Sequence, residues 1–519
     1  MKRSKMIQSV RDMTGKWDII IIGGGATGLG AAVDASSRGY KTLLLEMADF
    51  AKGTSSRSTK LIHGGVRYLQ QGNVSLVLES LRERGLLIKN APHLVRNQSF
   101  LVPCYKWWEG PYYWLGLRIY DILAGELGLG PSKHLSSKKA RAEVSTITPS
   151  GLRGGIMYYD GQFDDSRLAI NLAKTSVKEG GVLINYMKVT DLLKSSGKVQ
   201  GVKAKDMLSG EEHEIKARAV INATGVFTDS VLKMDDPGSS SIITPSQGIH
   251  IVIDKHFLPG DTAIMIPKTQ DGRILFALPW HNKVMLGTTD TPVEDISSEP
   301  EAMEREIDFI LKHAAEYLVG KPERSDIRSA FAGLRPLVTN GDTDNTAAIS
   351  RDHSLIVAPS GLVTITGGKW TTYRKMAEDV VNRASEVAGL PSKECVTESL
   401  RIHGWIDEAA KKDPLYYYGA DRPELKRIID KDPELGEPLH ERLPYVKAEV
   451  VWATRSEMAM TVEDFNSRRT RALFLDAKAS EEMAPEVARL MAEEAGYDDN
   501  WIKHQVKAYS ELASSYQIS

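Results

Sequence analysis

The sequence predicts an α/β fold whose central sheet is parallel and doubly wound. Three observations carry that reading. Ile19-Ile20-Ile21-Ile22 is a continuous β-branched run, the pattern of a strand buried on both faces, and it ends at Gly23-Gly24-Gly25-Ala26-Thr27-Gly28 with helix-like sequence through Arg38. Two later strand-like stretches also stop at glycine: Ala219 to Gly225, and Leu355 to Thr366 running into Gly367-Gly368-Lys369. Past Cys395 the chain becomes charged and helical in period, with prolines in the connections, which marks a separate helical domain.

Bulk properties narrow the classes. At 519 residues the chain is too long for one compact core and divides into two or three domains. Its 42% hydrophobic and 26% charged composition is that of a globular protein. A formal charge of −2 gives no electrostatic footprint for nucleic acid as the main partner. The only cysteines, Cys104 and Cys395, lack CxxC or Cys/His ligand spacing, which suits a reducing cytoplasm and argues against a disulfide, a structural zinc or an iron–sulfur cluster. Met1 to Lys16 has basic residues but no apolar core, so no signal peptide is expected. No apolar run approaches the roughly 18 residues of a membrane-spanning helix, which leaves surface association open. There is no internal repeat or low-complexity segment.

Each element follows in order. In the first unit Gly23 allows a tight turn, Gly25 lets backbone approach a pyrophosphate and Gly28 lets the helix pack on the strand. The helix start, with Ala26 and Thr27, presents unpaired N–H groups to phosphate. A second apolar run, Thr42 to Leu45, ends in Glu46, 18 residues beyond Gly28 and placed to accept a ribose hydroxyl pair. Lys52 to Lys60 is a polar loop leading into Leu61-Ile62-His63-Gly64-Gly65, and Gly72 to Asn90 is helical, with Val77, Leu81 and Ile88 among its apolar positions. From Cys104 to Gly125, Trp107, Trp108 and Trp114 lie beside Tyr105, Tyr112, Tyr113 and Tyr120, with Lys106 and Arg118 among them. Two readings stand for this stretch: an interfacial membrane patch, or packing between domains.

Asp164-Asp165 caps a helix from about Ser166 to Glu179. Val182 to Tyr186 is a strand leading to Val189, and Val199 to Ala204 pairs with His213 to Ala217 as a hairpin. Between Ile242 and Ala332 lie strands at Ile249–Ile253, Ile274–Leu278 and Val284–Gly287, interrupted by a helix near Glu301 to Leu318. A last helix runs from about Thr371 to Val387.

The first unit alone serves NAD as well as FAD. Its partners decide: Ala223-Thr224-Gly225 and Gly367-Gly368-Lys369 are far along the chain, and such dispersal suits a long cofactor lying across a discontinuous domain. Ile22-Gly23-Gly24-Gly25 through Gly28, Gly30, Ala32, Asp34 and Arg38-Gly39 resembles the first signature of FAD-dependent glycerol-3-phosphate dehydrogenases. Gly367-Gly368-Lys369-Trp370-Thr371-Thr372-Tyr373-Arg374 with Ala377 resembles the second. Thr54-Ser55-Ser56 and Lys60 to Leu69 are similar to that family's flavin loop, and Gly287-Thr288-Thr289-Asp290, Gly333-Leu334-Arg335-Pro336-Leu337, Glu457 and Arg468-Arg469-Thr470 also match. Leu29 departs from the smaller residue usual in the first signature, without changing the choice of cofactor.

The resemblance implies oxidation of sn-glycerol 3-phosphate to dihydroxyacetone phosphate, hydride passing from C2 to flavin N5 and electrons going on to a quinone. A base must then take the 2-hydroxyl proton, and cations must hold the phosphate. Arg335 is the first candidate for the phosphate, because a guanidinium forks onto it bidentately. Arg351 is either a second clamp or the partner of a carboxylate such as Asp352. Lys369, between two glycines and a helix, is either near substrate or flavin or a solvated helix-start lysine; the helix start with Thr371 stabilises negative charge on a reduced flavin by on the order of 1 kcal/mol. His63 and His250 compete as the base, with His250 placed nearer the substrate and His63 nearer the flavin. At His250 the family's lysine-glycine-serine/threonine-histidine reads Gln247-Gly248-Ile249-His250, which removes a positive charge and a hydroxyl.

The expected architecture is therefore a discontinuous Rossmann-like FAD-binding domain (17–90, 158–235 and 333–390), a mixed-sheet substrate domain (91–157 with its aromatic segment, and 236–332) and a helical C-terminal domain (395–519). The expected cofactor contacts are Gly23, Gly25, Ala26, Thr27, Gly28, Glu46, Thr54, Ser55, Ser56, Lys60, His63, Gly64, Gly65, Val189, Ala223, Gly225, Gly367, Gly368, Lys369 and Thr371. The expected partners are glycerol 3-phosphate and a quinone, with the protein cytoplasmic and peripheral on the inner face of the cell membrane. An oxidase passing electrons to oxygen and a non-catalytic flavin-fold binding protein are the alternatives; retention of Arg335, Lys369 and both histidines argues against the second.

Overall fold

The computed structural model describes residues 1–70, 72–267, 269, 272–338, 353–407 and 413–518. Its first sheet has the strand order His353–Val357, Val363–Gly367, Glu212–Asn222, Trp17–Ile22, Thr42–Leu45 and Val182–Ile184. All neighbours in it are parallel except the first pair. Ile19, Ile20 and Ile21 are fully buried at its centre, as a two-sided parallel strand requires. Ala26–Ser37 packs on this sheet beside Asp165–Lys178 and Tyr373–Val387. Gly30 permits that closeness, since a Cβ there would lie 2.8 Å from the Tyr373 ring. Leu29 is fully buried in the same packing.

The hairpin arm and the later glycine-ended strand are one element, Glu212–Asn222. Its outer half alternates exposed and buried residues against Lys198–Asp206, and its inner half, Ala219 to Asn222, is continuously buried once it enters the parallel sheet. The period changes because the number of covered faces changes.

A second, mixed sheet contains Ile243–Asp254, paired antiparallel with both Lys283–Gly287 and Ile327–Val338, and continues through Leu275–Trp280, Ala263–Ile266, Val95–Cys104 and Gly154–Phe163 to the short Leu61–Ile62. Glu304–Tyr317 covers one of its faces with Ile307, Ile310 and Ala314. The aromatic stretch is a helix, Glu109–Ala124, that buries Gly110, Leu117, Tyr120 and Ala124. Trp107 is 77% and Ile122 71% exposed, and Trp108, Tyr112, Trp114, Leu115 and Ile119 are exposed with them, so these side chains do not pack between domains. No helix among the described residues is long and apolar enough to cross a membrane.

The C-terminal part is helical, with Lys447–Ser456, Ala484–Ala495 and Asp499–Ser514 as its longer elements after Arg422–Lys431. It joins the rest through buried ion pairs, Arg167 with Glu457 at 2.7 Å and Arg471 with Asp164 at 3.0 Å. Asp164 is also the helix N-cap, accepting from the Arg167 N–H.

Candidate active site

A cavity of about 900 Å³ lies at the carboxyl ends of the parallel strands, where Ile22, Leu45, Ala223 and Ile365 all reach its wall. Gly23, Gly25, Ala26 and Thr27 line it. Gly23 has φ +107°, and a Cβ there would sit 2.7 Å from the Ala223 carbonyl oxygen. Gly28 does not line the cavity; a Cβ there would meet the Gly23 carbonyl oxygen at 1.9 Å, so its task is helix–turn packing. The Glu46 carboxylate accepts from the Gly24 N–H at 2.6 Å and the Ala48 N–H at 2.9 Å. Burial raises its pKa, against the pull of those two N–H groups. Ser55 Oγ accepts from the Ala26 N–H at 2.9 Å, fixing the polar loop to the helix start. The glycine wall that side chains would fill, the helix N-terminus and the carboxylate fit the adenosine diphosphate part of FAD.

Thr54, His63, Val189, Gly225, Gly367, Gly368, Lys369 and Thr371 line the same cavity. His63 and Thr371 are joined at the backbone: the His63 N–H donates to Thr371 Oγ1 at 3.3 Å, and that hydroxyl donates to the His63 carbonyl at 3.4 Å. Thr371 therefore ties the flavin loop to the start of the Tyr373–Val387 helix.

A second cavity of about 180 Å³ shares Thr59, Leu61, His63, Tyr68 and Arg335 with the first. Two guanidinium-bearing residues, Arg335 and Arg273, line it. Arg335 donates through Nη2 to the Thr289 carbonyl at 2.9 Å and to Thr288 Oγ1 at 3.1 Å, and Nη1 lies 3.5 Å from Asp290 Oδ1. Ser246 holds Asp290 in turn. The guanidinium crosses the strand at Gly248, where a Cβ would come within 2.2 Å of Nη2.

His250 is two residues along the same strand face. Its ring stacks on Phe331 at 5.1 Å and lies over Gly287, where a Cβ would be 2.2 Å from Cδ2. Nε2 is 3.0 Å from Thr59 Oγ1, and the buried Nδ1 has no hydrogen-bond partner among the described residues. Burial, with Lys60 and Arg335 adding positive charge, pushes the imidazole pKa well below its ordinary value, so His250 is neutral at physiological pH.

Three further expected cofactor contacts, Lys60, Ser56 and Gly64, do not line the cavity. Lys60 is fully buried and away from the cavity, its ammonium 2.7 Å from Asp165 Oδ2 and ringed by Trp280, Phe331 and Phe474. Asp165 thus pairs with Lys60, while Asp164 alone caps the helix. Ser56 is buried and bonded to the Gly53 carbonyl. Gly64 lines neither cavity: its N–H donates to Tyr120 Oη at 2.7 Å, and that hydroxyl donates to Asp160. Gly65 lines the smaller cavity. Lys369 directs its ammonium to Ser80 Oγ at 3.1 Å and the Tyr68 ring face at 4.3 Å. Arg351 falls outside the described residues.

The departure at Gln247 does not reach the site. Strand alternation puts Gly248 and His250 on the cavity face, whereas Gln247 turns to Glu306 Oε2 at 2.8 Å and Ile249 enters the core behind. Residues missed in the sequence are Thr59, Tyr68 and Arg273. Thr59 and Tyr68 sit inside the recognised loop; Arg273 stands alone between Gly272 and Ile274, with no motif to mark it.

Residues 18–374 match the model of the FAD dependent oxidoreductase family, and 362–501 match the C-terminal domain of alpha-glycerophosphate oxidase. The chain is 42% identical to the mitochondrial glycerol-3-phosphate dehydrogenase of Homo sapiens over 94% of its own length and 71% of that protein. It is 38% identical to the mitochondrial glycerol-3-phosphate dehydrogenase SDP6 of Arabidopsis thaliana, over 97% of this chain and 86% of the other. A solved structure of the Bacillus halodurans glycerol-3-phosphate dehydrogenase complexed with FAD superposes with a TM-score of 0.79 at 29% identity, covering 99% of this chain and 97% of that one.

Proposed function

The chain belongs to the FAD-dependent glycerol-3-phosphate dehydrogenases, and from that premise we propose that its smaller cavity seats sn-glycerol 3-phosphate by the phosphate, between Arg335 and Arg273, and that the electrons leave for a quinone. The enzyme is an oxidoreductase that uses FAD and converts glycerol 3-phosphate to dihydroxyacetone phosphate. The observation that carries the seating is the guanidinium-lined cavity of about 180 Å³, which meets the dinucleotide cavity along Thr59, His63, Tyr68 and Arg335.

Bound FAD supplies the two-electron acceptor. The protein's part is binding, orientation and proton handling. Arg335 enters the reaction already aimed, because Thr288, Thr289 and Asp290 fix its guanidinium before a phosphate arrives. His250 takes the 2-hydroxyl proton: it is neutral, as an acceptor must be, and from the larger cavity its Nε2 reaches Thr59, which lines both. His63 and Thr371 orient the loop over the flavin end.

The apolar face of the Glu109–Ala124 helix supports contact with the membrane surface in which a quinone is dissolved, with Lys106 and Arg118 flanking Trp107, Trp108 and Trp114. Such contact supports a peripheral position at a membrane surface, and the inner face of the cell membrane is the side this reading takes.

Anaerobic mixing of the flavin-loaded protein with glycerol 3-phosphate tests the reaction: the yellow absorbance bleaches, and persistent oxidised colour with an intact site would sink the assignment. Subsequent addition of a soluble quinone restores the colour faster than air does; the reverse order identifies an oxidase. Vesicle flotation retains the protein, and loses it when Trp107, Trp108 and Trp114 are all replaced by serine.

A further inference from the structure

The C-terminal domain reaches back to the first turn of the dinucleotide unit through one buried ion cluster. Three residues past Glu46, Asp49 is fully buried. Arg469 forks onto it, with Nη1 2.7 Å from Oδ2 and Nη2 2.8 Å from Oδ1, and Arg468 Nε adds a third contact at 2.6 Å. Both arginines lie in a single π turn, Phe465–Arg469, more than 400 residues further along the chain. Arg469 also donates to the Glu457 carbonyl, and Arg468 to Glu463 and Asp464. Glu463 holds the ammonium of Lys52, which lines the large cavity. Lys52, Arg468 and Arg469 thus face Asp49, Glu463 and Asp464, with Glu299 3.7 Å from the Lys52 ammonium.

The turn that Asp49 anchors is the one that carries Glu46. The Ala48 N–H holds Glu46 Oε1, the Ala51 N–H donates to the Gly24 carbonyl at 2.9 Å, and Asn185 Nδ2 closes on Asp49 Oδ1 at 3.3 Å. Asp49 is therefore the point at which residues 46–51 are pinned from outside their own domain.

We propose that Arg468 and Arg469 are positioning residues for the adenosine ribose of FAD, acting through Asp49 on the Glu46 carboxylate. The proposal rests on the FAD reading above. An ion cluster that fixes a turn fixes the direction of the carboxylate on it, and second contacts of this kind set how well a first contact is aimed. The Asp49 carboxylate repels the charge on Glu46, and the attraction of Arg468 works against that repulsion.

The test measures the affinities of the full chain, stripped of flavin, for FAD, for ADP and for 2′,3′-dideoxy-ADP, the last two by displacement. Arg469→Lys keeps the charge and loses the fork. It should weaken FAD and ADP by about tenfold and leave the weaker dideoxy-ADP unchanged. Glu46→Gln should show the same selective loss, and the double variant should lose no more than Glu46→Gln alone. Additive losses, or an equal loss for dideoxy-ADP, overturn the proposal. If Arg469→Lys does not fold, Asp49→Asn enters the same cycle, and undiminished ADP affinity there overturns it as well. An unaltered chain that binds no FAD refutes the flavin reading; one that binds FAD while all variants match it refutes the clamp alone.

Discussion

At its glycine end the site is made of backbone, and at its guanidinium end of side chains. Gly23, Gly25 and the first N–H groups of the Ala26–Ser37 helix come from one stretch of chain, with Gly28 packed behind them and the Glu46 side chain beside them. The substrate cavity draws Thr59, Arg273, Thr288 and Arg335 from separate segments, with His250 beside them on a fifth. A backbone cradle tolerates no added atoms, because its walls cannot move. A side-chain cavity tolerates substitution at a graded cost, because each group contributes a contact of its own. The variants below separate the two kinds of construction.

Gly28→Ala gives the largest expected effect. Its Cβ would lie 1.9 Å from the Gly23 carbonyl oxygen, which belongs to the turn that must hold the pyrophosphate. The variant should purify colourless or nearly so, with a ratio of flavin to protein absorbance below about a tenth of normal, given that overpacking alone costs about 1–3 kcal/mol and here falls on backbone. A yellow, fully loaded Gly28→Ala protein would show that the cradle yields more than its contacts indicate.

Arg335→Ala should leave flavin in place and lower kcat/KM for glycerol 3-phosphate by about 150-fold, the equivalent of about 3 kcal/mol for a charge-assisted contact. Arg335→Lys should recover little, because an ammonium cannot span Thr288, Thr289 and the phosphate together. Loss of flavin from Arg335→Ala would place the guanidinium against the cofactor instead.

The same contrast explains what the amino-acid sequence discloses. The backbone cradle is local, so spacing alone announces Gly23 to Glu46, and the strand ends at Gly225 and Gly367 follow from burial and glycine. The side-chain cavity is assembled by the fold. Loop sequence does not say which of Ser55, Ser56, Thr59 and Lys60 faces the cavity; Lys60 turns away from it into the core because Asp165, an apparent helix cap, offers it a buried counter-ion. Arg273 carries no pattern, and Gly248 and Gly287 show their purpose only when Arg335 and His250 lie across them. Gln247 looked like a lost charge at the site, but strand alternation sends it to Glu306 on the other face.

Acid separates the two ends as well. Burial alone would raise Asp49, but Arg469 and Arg468 outweigh it and hold Asp49 down to about 2. A depressed carboxylate stabilises the fold fully above its ordinary pKa, near 3.9, and loses that contribution as pH falls toward 2; for Asp49 the amount is about 2–3 kcal/mol. His250 is already neutral and gains no proton until well below its usual pKa. Lowering the pH from about 4 toward 2 should therefore release flavin as the Asp49 turn loosens. In Asp49→Asn, flavin should already be weakly held at pH 5, with a flatter loss below it. An unchanged acid midpoint in Asp49→Asn would mean that other carboxylates set the release.

Arg273→Gln has the smallest expected effect and tests the side-chain end most finely. Arg273 lines only the substrate cavity, is half-buried, and donates its backbone N–H to the Thr269 hydroxyl at 3.0 Å. Removing its charge leaves Arg335 and the dinucleotide cavity untouched, so flavin content and kcat should stay at wild-type values while KM for glycerol 3-phosphate rises about tenfold, or about 1.4 kcal/mol. Inorganic phosphate should weaken as an inhibitor by the same factor, since both ligands use the contact equally before and during the reaction. Glycerol, which has no phosphate, should react with the variant as slowly as with the unaltered enzyme. A fall in kcat with unchanged KM would move Arg273 from holding the phosphate to stabilising charge that develops during the reaction, and the two arginines would then differ in kind rather than in strength.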